Sequence, residues 1–150
     1  MDLILWRHAD AEEGFPDLGR KLTSKGLRQA DNVAAWLNQR LPAKFAVVAS
    51  PAERTRQTAQ ALGVPFKTVD QLAPGASVST ILDAADWPGH KSPVVVVGHQ
   101  PDLGRTVAHL IGAEQPDISI KKGGLWWFTN RVRDGESGIV VRAVLSPDLL

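Results

Sequence analysis

Few side chains in this sequence can do covalent or acid–base chemistry. Among 150 residues there are four histidines, no cysteine and no tyrosine. Thiol nucleophiles, disulfides, cysteine-bound zinc and iron–sulfur clusters are therefore excluded. No serine lies in a Gly-x-Ser-x-Gly turn. What remains is a set of histidines and arginines that follow apolar runs. Arg7-His8 closes the run Leu3–Trp6, and Gly98-His99-Gln100-Pro101 closes Val94–Val97. Arg54 and Arg56 follow the run Phe45–Ala49 after Ser50-Pro51-Ala52-Glu53. These types suit phosphoryl transfer. A guanidinium pairs the non-bridging oxygens of a phosphate bidentately. A neutral imidazole has one lone pair and titrates near neutrality, which makes a histidine the natural nucleophile here. Nearby arginine charges disfavour the imidazolium and keep that lone pair available. The other ring N–H then needs an acceptor to fix the tautomer.

The elements that must position these groups alternate between strands and helices. Leu3–Trp6, Phe45–Ala49 and Val94–Val97 are short continuous apolar runs, the pattern of strands buried on both faces. Thr23 caps a helix reaching about Leu41, with Leu27, Ala30, Ala34, Leu37 and Leu41 as its apolar stripe. Ser50-Pro51-Ala52-Glu53 has the form of a capping box with proline at the first helical position. It predicts a helix from there to about Leu62. Phe66–Val69 reads as a weak strand, residues 77–86 as a short helix, and the stretch following Gly98-His99-Gln100-Pro101 to about Ile111 as another helix. Leu125–Thr129 and Ile139–Leu145 flank an Asp134-Gly135 turn and read as a hairpin. The expected fold is α/β: a single three-layer α/β/α domain over residues 1–150, with a mainly parallel central sheet and a C-terminal β-hairpin. Sites in such sheets lie beyond the carboxyl ends of the strands, where both histidine motifs fall. Arg7 and His8 would point to opposite faces of a strand, so they share a pocket only if the chain leaves strand geometry near residue 7. Arg54 and Arg56 lie about 200° apart on a helical wheel, so only one of them faces the site.

Composition narrows the partners. Seventeen basic and sixteen acidic residues give a net charge of +1, which argues against a nucleic-acid or anionic-membrane footprint. No apolar stretch approaches the roughly 18 residues of a membrane span. Only four apolar residues separate Asp2 from Arg7, too few for a secretory signal, so the expected location is cytoplasmic. Neither G-x-G-x-x-G nor G-x-x-x-x-G-K-[ST] occurs, which disfavours a nucleotide site. A zinc hydrolase built on His8, His99 and Asp10 is the next rival, but two arginines beside the site oppose a cation there. His90 and His109 have no motif around them. Trp126 and Trp127 should alternate between core and surface, and Lys121-Lys122 either borders a substrate entrance or forms a solvated turn.

Three blocks in order carry a resemblance. Arg7-His8-Ala9 resembles the Arg-His-Gly signature of the histidine phosphatase (phosphoglycerate-mutase-like) superfamily. Ser50-Pro51-Ala52-Glu53-Arg54-Thr55-Arg56-Gln57-Thr58-Ala59 resembles its second block, and Gly98-His99-Gln100-Pro101 its third. The short length, the Arg7–Ala11 opening and the Asp17–Thr23 stretch most resemble the phosphohistidine phosphatase (SixA-like) branch. The resemblance implies His8 as nucleophile, with Arg7, Arg54 and His99 around the phosphoryl group and no metal or organic cofactor. It selects Arg54 over Arg56. The implied substrate is a protein phosphohistidine. The alternatives are a small phosphate ester or a non-catalytic phosphate-binding module. A monomer or weak dimer is expected. Ala9 departs from the glycine of many members. Many relatives also take a glutamate from the segment after the second helix as general acid, whereas residues 64–82 offer only Asp70. Asp10 is the nearest alternative as acid or water-positioning group; its other reading is a loop carboxylate or partner of Arg20. A missing acid fits a labile P–N bond better than an alkyl ester, since general acids are typically worth 10²–10⁴ in rate.

Overall fold

Alternation of apolar side chains along four short strands sends one set to each face of a central sheet. The computed structural model describes residues 1–150. In chain order it contains β1 (Asp2–Arg7), α1 (Ser24–Asn38), β2 (Ala46–Ala49), α2 (Glu53–Gln60), β3 (Lys67–Thr68), α3 (Val78–Ala84), β4 (Val94–Gly98), α4 (Asp102–Ile111), β5 (Leu125–Arg133) and β6 (Glu136–Leu145). The six strands form one sheet in the order β3-β2-β4-β1-β5-β6. The β3–β2, β2–β4 and β4–β1 pairs are parallel, and β1–β5 and β5–β6 are antiparallel. The α/β fold with its mainly parallel sheet and terminal hairpin is thus as the strand–helix alternation implies. Asp134 and Gly135, both at positive φ, turn the hairpin, as a mirror-type two-residue turn requires.

The two faces carry separate cores. Ile4, Trp6, Val47, Val95 and Val97 pack with Val33, Ala34 and Leu37 of α1 and with Ala59 of α2. Leu3, Leu5, Val94 and Val96 pack with Ile81 of α3 and with Leu103 and Val107 of α4. Full burial of each such aliphatic side chain contributes roughly 1.5–3 kcal/mol. Trp127 belongs to the first core and Trp126 borders the second, which is the expected alternation.

Three expectations are corrected. Leu27 lies 45% exposed; the buried stripe of α1 is Ala30, Val33, Ala34 and Leu37, and the helix ends at Asn38. Second, Ser50 does not cap α2: that helix starts at Glu53, and its N-cap residue, Ala52, makes no side-chain cap. The Ser50 hydroxyl is taken by a longer-range partner described below. Third, Asp10 does not pair with Arg20, which bonds Glu12 O and Asp17 instead. Thr23 does cap α1, accepting from Gly26 N at 3.0 Å. Gly26 is where the helix start meets the chain after β1, since a Cβ there would collide with the Asp10 carbonyl.

Candidate active site

The chain leaves strand geometry right after Arg7. Arg7 is the last residue of β1, in register with Gly98 of β4, and His8 N donates to Gly98 O. Ala9 N then donates to Thr58 Oγ1 of α2 at 3.1 Å, while Thr58 donates to Arg54 O at 2.8 Å. One threonine hydroxyl therefore ties the chain after His8 to the helix that carries Arg54. The Ala9 methyl is fully buried among Ala11, Leu22 and Ala30, so a Cβ is accommodated there. On the other side, Gly123 N donates to His8 O, Arg7 N to Gly124 O, and the Trp6 indole to Gly123 O.

His8, Arg54 and His99 are buried together and Arg7 half-buried beside them; the His8 and His99 ring centroids are 5.5 Å apart. His8 Nδ1 lies 2.7 Å from Ala9 O. A carbonyl only accepts, so Nδ1 carries the hydrogen and Nε2 is left with its lone pair. Burial pushes the His8 pKa down from 6.5 to about 4. The Ala9 hydrogen bond opposes this, while Arg54, Arg7 and Arg20 reinforce it. The ring is thus neutral at pH 7. His99 is pushed down to about 3, by burial first and then by Arg54 and His8. Its Nε2 lies 2.7 Å from Ser50 Oγ, which also accepts from Ala52 N. Arg54 Nη2, which can only donate, lies 3.4 Å from His99 Nδ1, so Nδ1 accepts and the hydrogen of His99 sits on Nε2, donated to Ser50 Oγ.

The arginines are anchored but not saturated. Arg7 donates through Nη1 to Ile120 O at 2.7 Å. Arg54 donates to Asp17 O at 2.8 Å and to Asp17 Oδ2 at 3.1 Å. Both Nε–H groups are buried without any partner. A buried unmet donor costs about 1–3 kcal/mol, and more when charged. The two guanidinium charges beside the His8 ring, only one of them paired with a carboxylate, favour an anion there. Burial lowers the Arg7 pKa, and the adjacent Arg54 charge lowers it further. Arg56 points away to solvent and pairs with Glu53.

Arg7, His8, Arg54 and His99 are thus brought together at the carboxyl ends of β1 and β4 and at the start of α2. Asp10 lies beside them, with Oδ2 accepting from Thr23 at 2.7 Å and Oδ1 pairing with Lys122 at 3.3 Å. The Thr23 hydrogen bond, helped by Lys122, lowers its pKa. Asp70 is exposed on a separate turn. His90 bonds Ser92, and His109 is exposed on α4; neither joins the site. No three His, Asp or Glu side chains converge as a metal ligand set. No helix is long and apolar enough to cross a membrane. Two participants had no reading from the sequence: Ser50 as the partner of His99, and Asp17 as the anchor of Arg54. Burial inflates the Asp17 pKa, but hydrogen bonds from Arg20 and Arg54 outweigh it and the net shift is downward.

Residues 3–73 match the family described as histidine phosphatase superfamily (branch 1). An uncharacterized Mycobacterium tuberculosis protein is 35% identical over 119 residues, covering 76% of this chain and 75% of that protein. An uncharacterized Picosynechococcus protein is 36% identical over 137 residues, covering 83% and 82%. Among solved structures, a Nakamurella multipartitia protein assigned as phosphohistidine phosphatase SixA is 28% identical. It has a TM-score of 0.75 and covers 97% of this chain and 95% of that one. The protein histidine phosphatase SixA complexed with tungstate is 24% identical, with a TM-score of 0.80 and 99% of both chains covered.

Proposed function

This chain belongs to the histidine phosphatase superfamily, and from that premise we propose that it is a phosphohistidine phosphatase acting through a phosphoryl intermediate on His8. The observation that carries this reading is the His8 ring. It is buried and neutral at pH 7, with Nδ1–H held by the Ala9 carbonyl and Nε2 unbonded. The relative solved with tungstate, a tetrahedral oxyanion, supports a phosphoryl-sized ligand at such a site.

In the first half-reaction the Nε2 lone pair bonds to phosphorus as the substrate P–N bond breaks and its electron pair stays on the leaving nitrogen. The guanidiniums of Arg7 and Arg54 donate to the equatorial oxygens, where charge is held through the transition state, and His99 accepts from Arg54 through Nδ1 and holds it in place. In the second half-reaction water adds to phosphorus and the P–Nε2 bond breaks. The pair returns to His8, the water proton leaves to solvent, and inorganic phosphate departs. Asp17 and Ser50 are positioning residues, acting through Arg54 and His99 respectively.

The leaving group favours phosphohistidine. A phosphorylated imidazole already protonated on its other nitrogen departs as a neutral ring and needs no proton from the enzyme. An alkoxide does need one. Asp10, ionised and held by Thr23 and Lys122, is a poor acid, and we assign it to holding the loop after β1. The two guanidiniums supply the positive charge a metal would otherwise contribute, which supports a metal-independent reaction.

The test is trapping. With a ³²P-phosphohistidine protein and a chelator present, the wild-type chain should acquire an acid-labile label and release phosphate. His8→Ala should acquire none. A label that survives in His8→Ala refutes the assignment. Faster turnover of phosphorylated metabolites than of phosphohistidine refutes the substrate class.

A further inference from the structure

A second region of concentrated charge lies just outside the histidine pocket. An open cleft of about 670 Å³ runs from Arg7 and Asp10 along α1 to residues 121–122 and the C-terminal turn. None of its ten lining residues is hydrophobic. Arg7, Lys25, Arg28, Lys121 and Lys122 face only Asp10 and Asp148 across it. The whole chain has a net charge of just +1, so this side of the molecule is markedly more positive than the rest.

The cations are not equivalent. Lys122 pairs with Asp10 at 3.3 Å and Lys121 with Asp148 at 3.5 Å. Lys25 and Arg28 make no ion pair. They lie one turn apart on α1 with Gln29 and Asn32, on a face turned away from the buried stripe Ala30, Val33, Ala34 and Leu37. The opposite wall is tied to the reacting centre: Arg7 Nη1 bonds Ile120 O, and Gly123 N bonds His8 O. The cleft and the His8 site thus share Arg7.

We propose that this cleft receives an acidic segment of the substrate protein beside its phosphohistidine, with Lys25 and Arg28 pairing with two of its carboxylates. The inference rests on the phosphatase reading of the His8 site and adds its selectivity. The phosphoryl group belongs at His8, which does not line the cleft, so the cleft is left for what carries it. Apart from the Pro147 ring, and with charged heads on both sides, the cleft has no apolar patch of the kind that seats a base or a long aliphatic chain. An open surface with two unpaired cations, Lys25 and Arg28, fits an extended acidic chain, whose approach it accelerates and whose register it sets.

The experiment compares two phosphohistidine peptides of equal length, one flanked by glutamates and the other by glutamines, with the full chain as enzyme. The glutamate peptide should show a KM about tenfold lower at low salt, with the advantage shrinking as salt screens the cleft. In Lys25→Gln/Arg28→Gln the two KM values should converge, whereas Arg131→Gln/Arg133→Gln, on the distal hairpin, should keep them apart. Equal KM values in the wild type overturn the proposal, and so does a preference that survives in Lys25→Gln/Arg28→Gln. A preference dependent on Lys25 and Arg28 but confined to a small phosphorylated carboxylic acid overturns the protein source. Turnover of neither peptide by the wild type overturns the phosphatase reading, and this proposal with it.

Discussion

The histidine pocket and the basic cleft share Arg7 but are built on opposite plans. In the pocket, buried side chains are each fixed by a neighbour: His8 by the Ala9 carbonyl, Arg54 by Asp17, His99 by Ser50. In the cleft, lysines on an exposed helix and loop form ion pairs that remain largely solvated, or form none. Charge is valuable in the first because water is excluded and the donors are already oriented. In the second it is screened and weak for each contact, but it acts at longer range. The difference separates two tasks: rigid chemistry inside, and selection at the rim by groups that yield to the partner.

This division can be broken by experiment. The largest effect is expected at Arg54. Arg54→Lys retains the charge but loses the fork that grips Asp17 while leaving Nε–H free, and kcat should fall about 10²–10³-fold. A loss confined to KM would show that Arg54 only binds. Next is stability against pH. His8 and His99 have folded pKa values of about 4 and about 3, below the ordinary 6.5. The unfolded chain therefore binds more protons over that interval. Stability should be fully present above about pH 6.5 and fall on acidification toward pH 4, with a slope approaching about 1.4 kcal/mol per pH unit for each histidine. Urea unfolding across that range measures it, and His99→Gln should reduce the slope.

A smaller effect belongs to Ser50. Ser50→Ala leaves His99 Nε2 and Ala52 N unpartnered, and kcat should drop about tenfold with KM little changed. The smallest lies at the rim. The Lys122–Asp10 pair has side chains 48% and 25% exposed, so Lys122→Ala should change stability by less than about 0.5 kcal/mol in a thermal melt. A cost at Lys122 as large as that at Arg54 would erase the distinction.

What could be read from the sequence follows the same line. Arg7, His8 and His99 each close a strand core, and local spacing identifies those cores. Arg54 needed the family pattern to be preferred over Arg56, since the wheel shows only that one of the two can face inward. Asp17 meets Arg54 across 37 positions of sequence and Ser50 meets His99 across 49; no local periodicity encodes such contacts. Ser50 reads as a helix cap for that reason. Its type and spacing fit the capping rule, but His99 supplies the competing partner and the helix begins at Glu53. Leu27 fails similarly, because helical periodicity assigns it to the stripe and only the packed neighbours reveal that the stripe ends at Ala30. The fold was more legible than the site because burial repeats along every strand, whereas a hydrogen-bond partner is chosen once.

The Thr58 hydroxyl gives access to the timescale of this assembly. It accepts from Ala9 N and donates to Arg54 O, so the Ala9 amide hydrogen is sequestered only while α2 rests against the end of β1. Its isotope exchange with deuterated water therefore reports how often the pocket opens locally. Occupation of the pocket by an oxyanion that bridges Arg7 and Arg54 would slow that exchange, making one backbone amide a clock for the whole catalytic constellation.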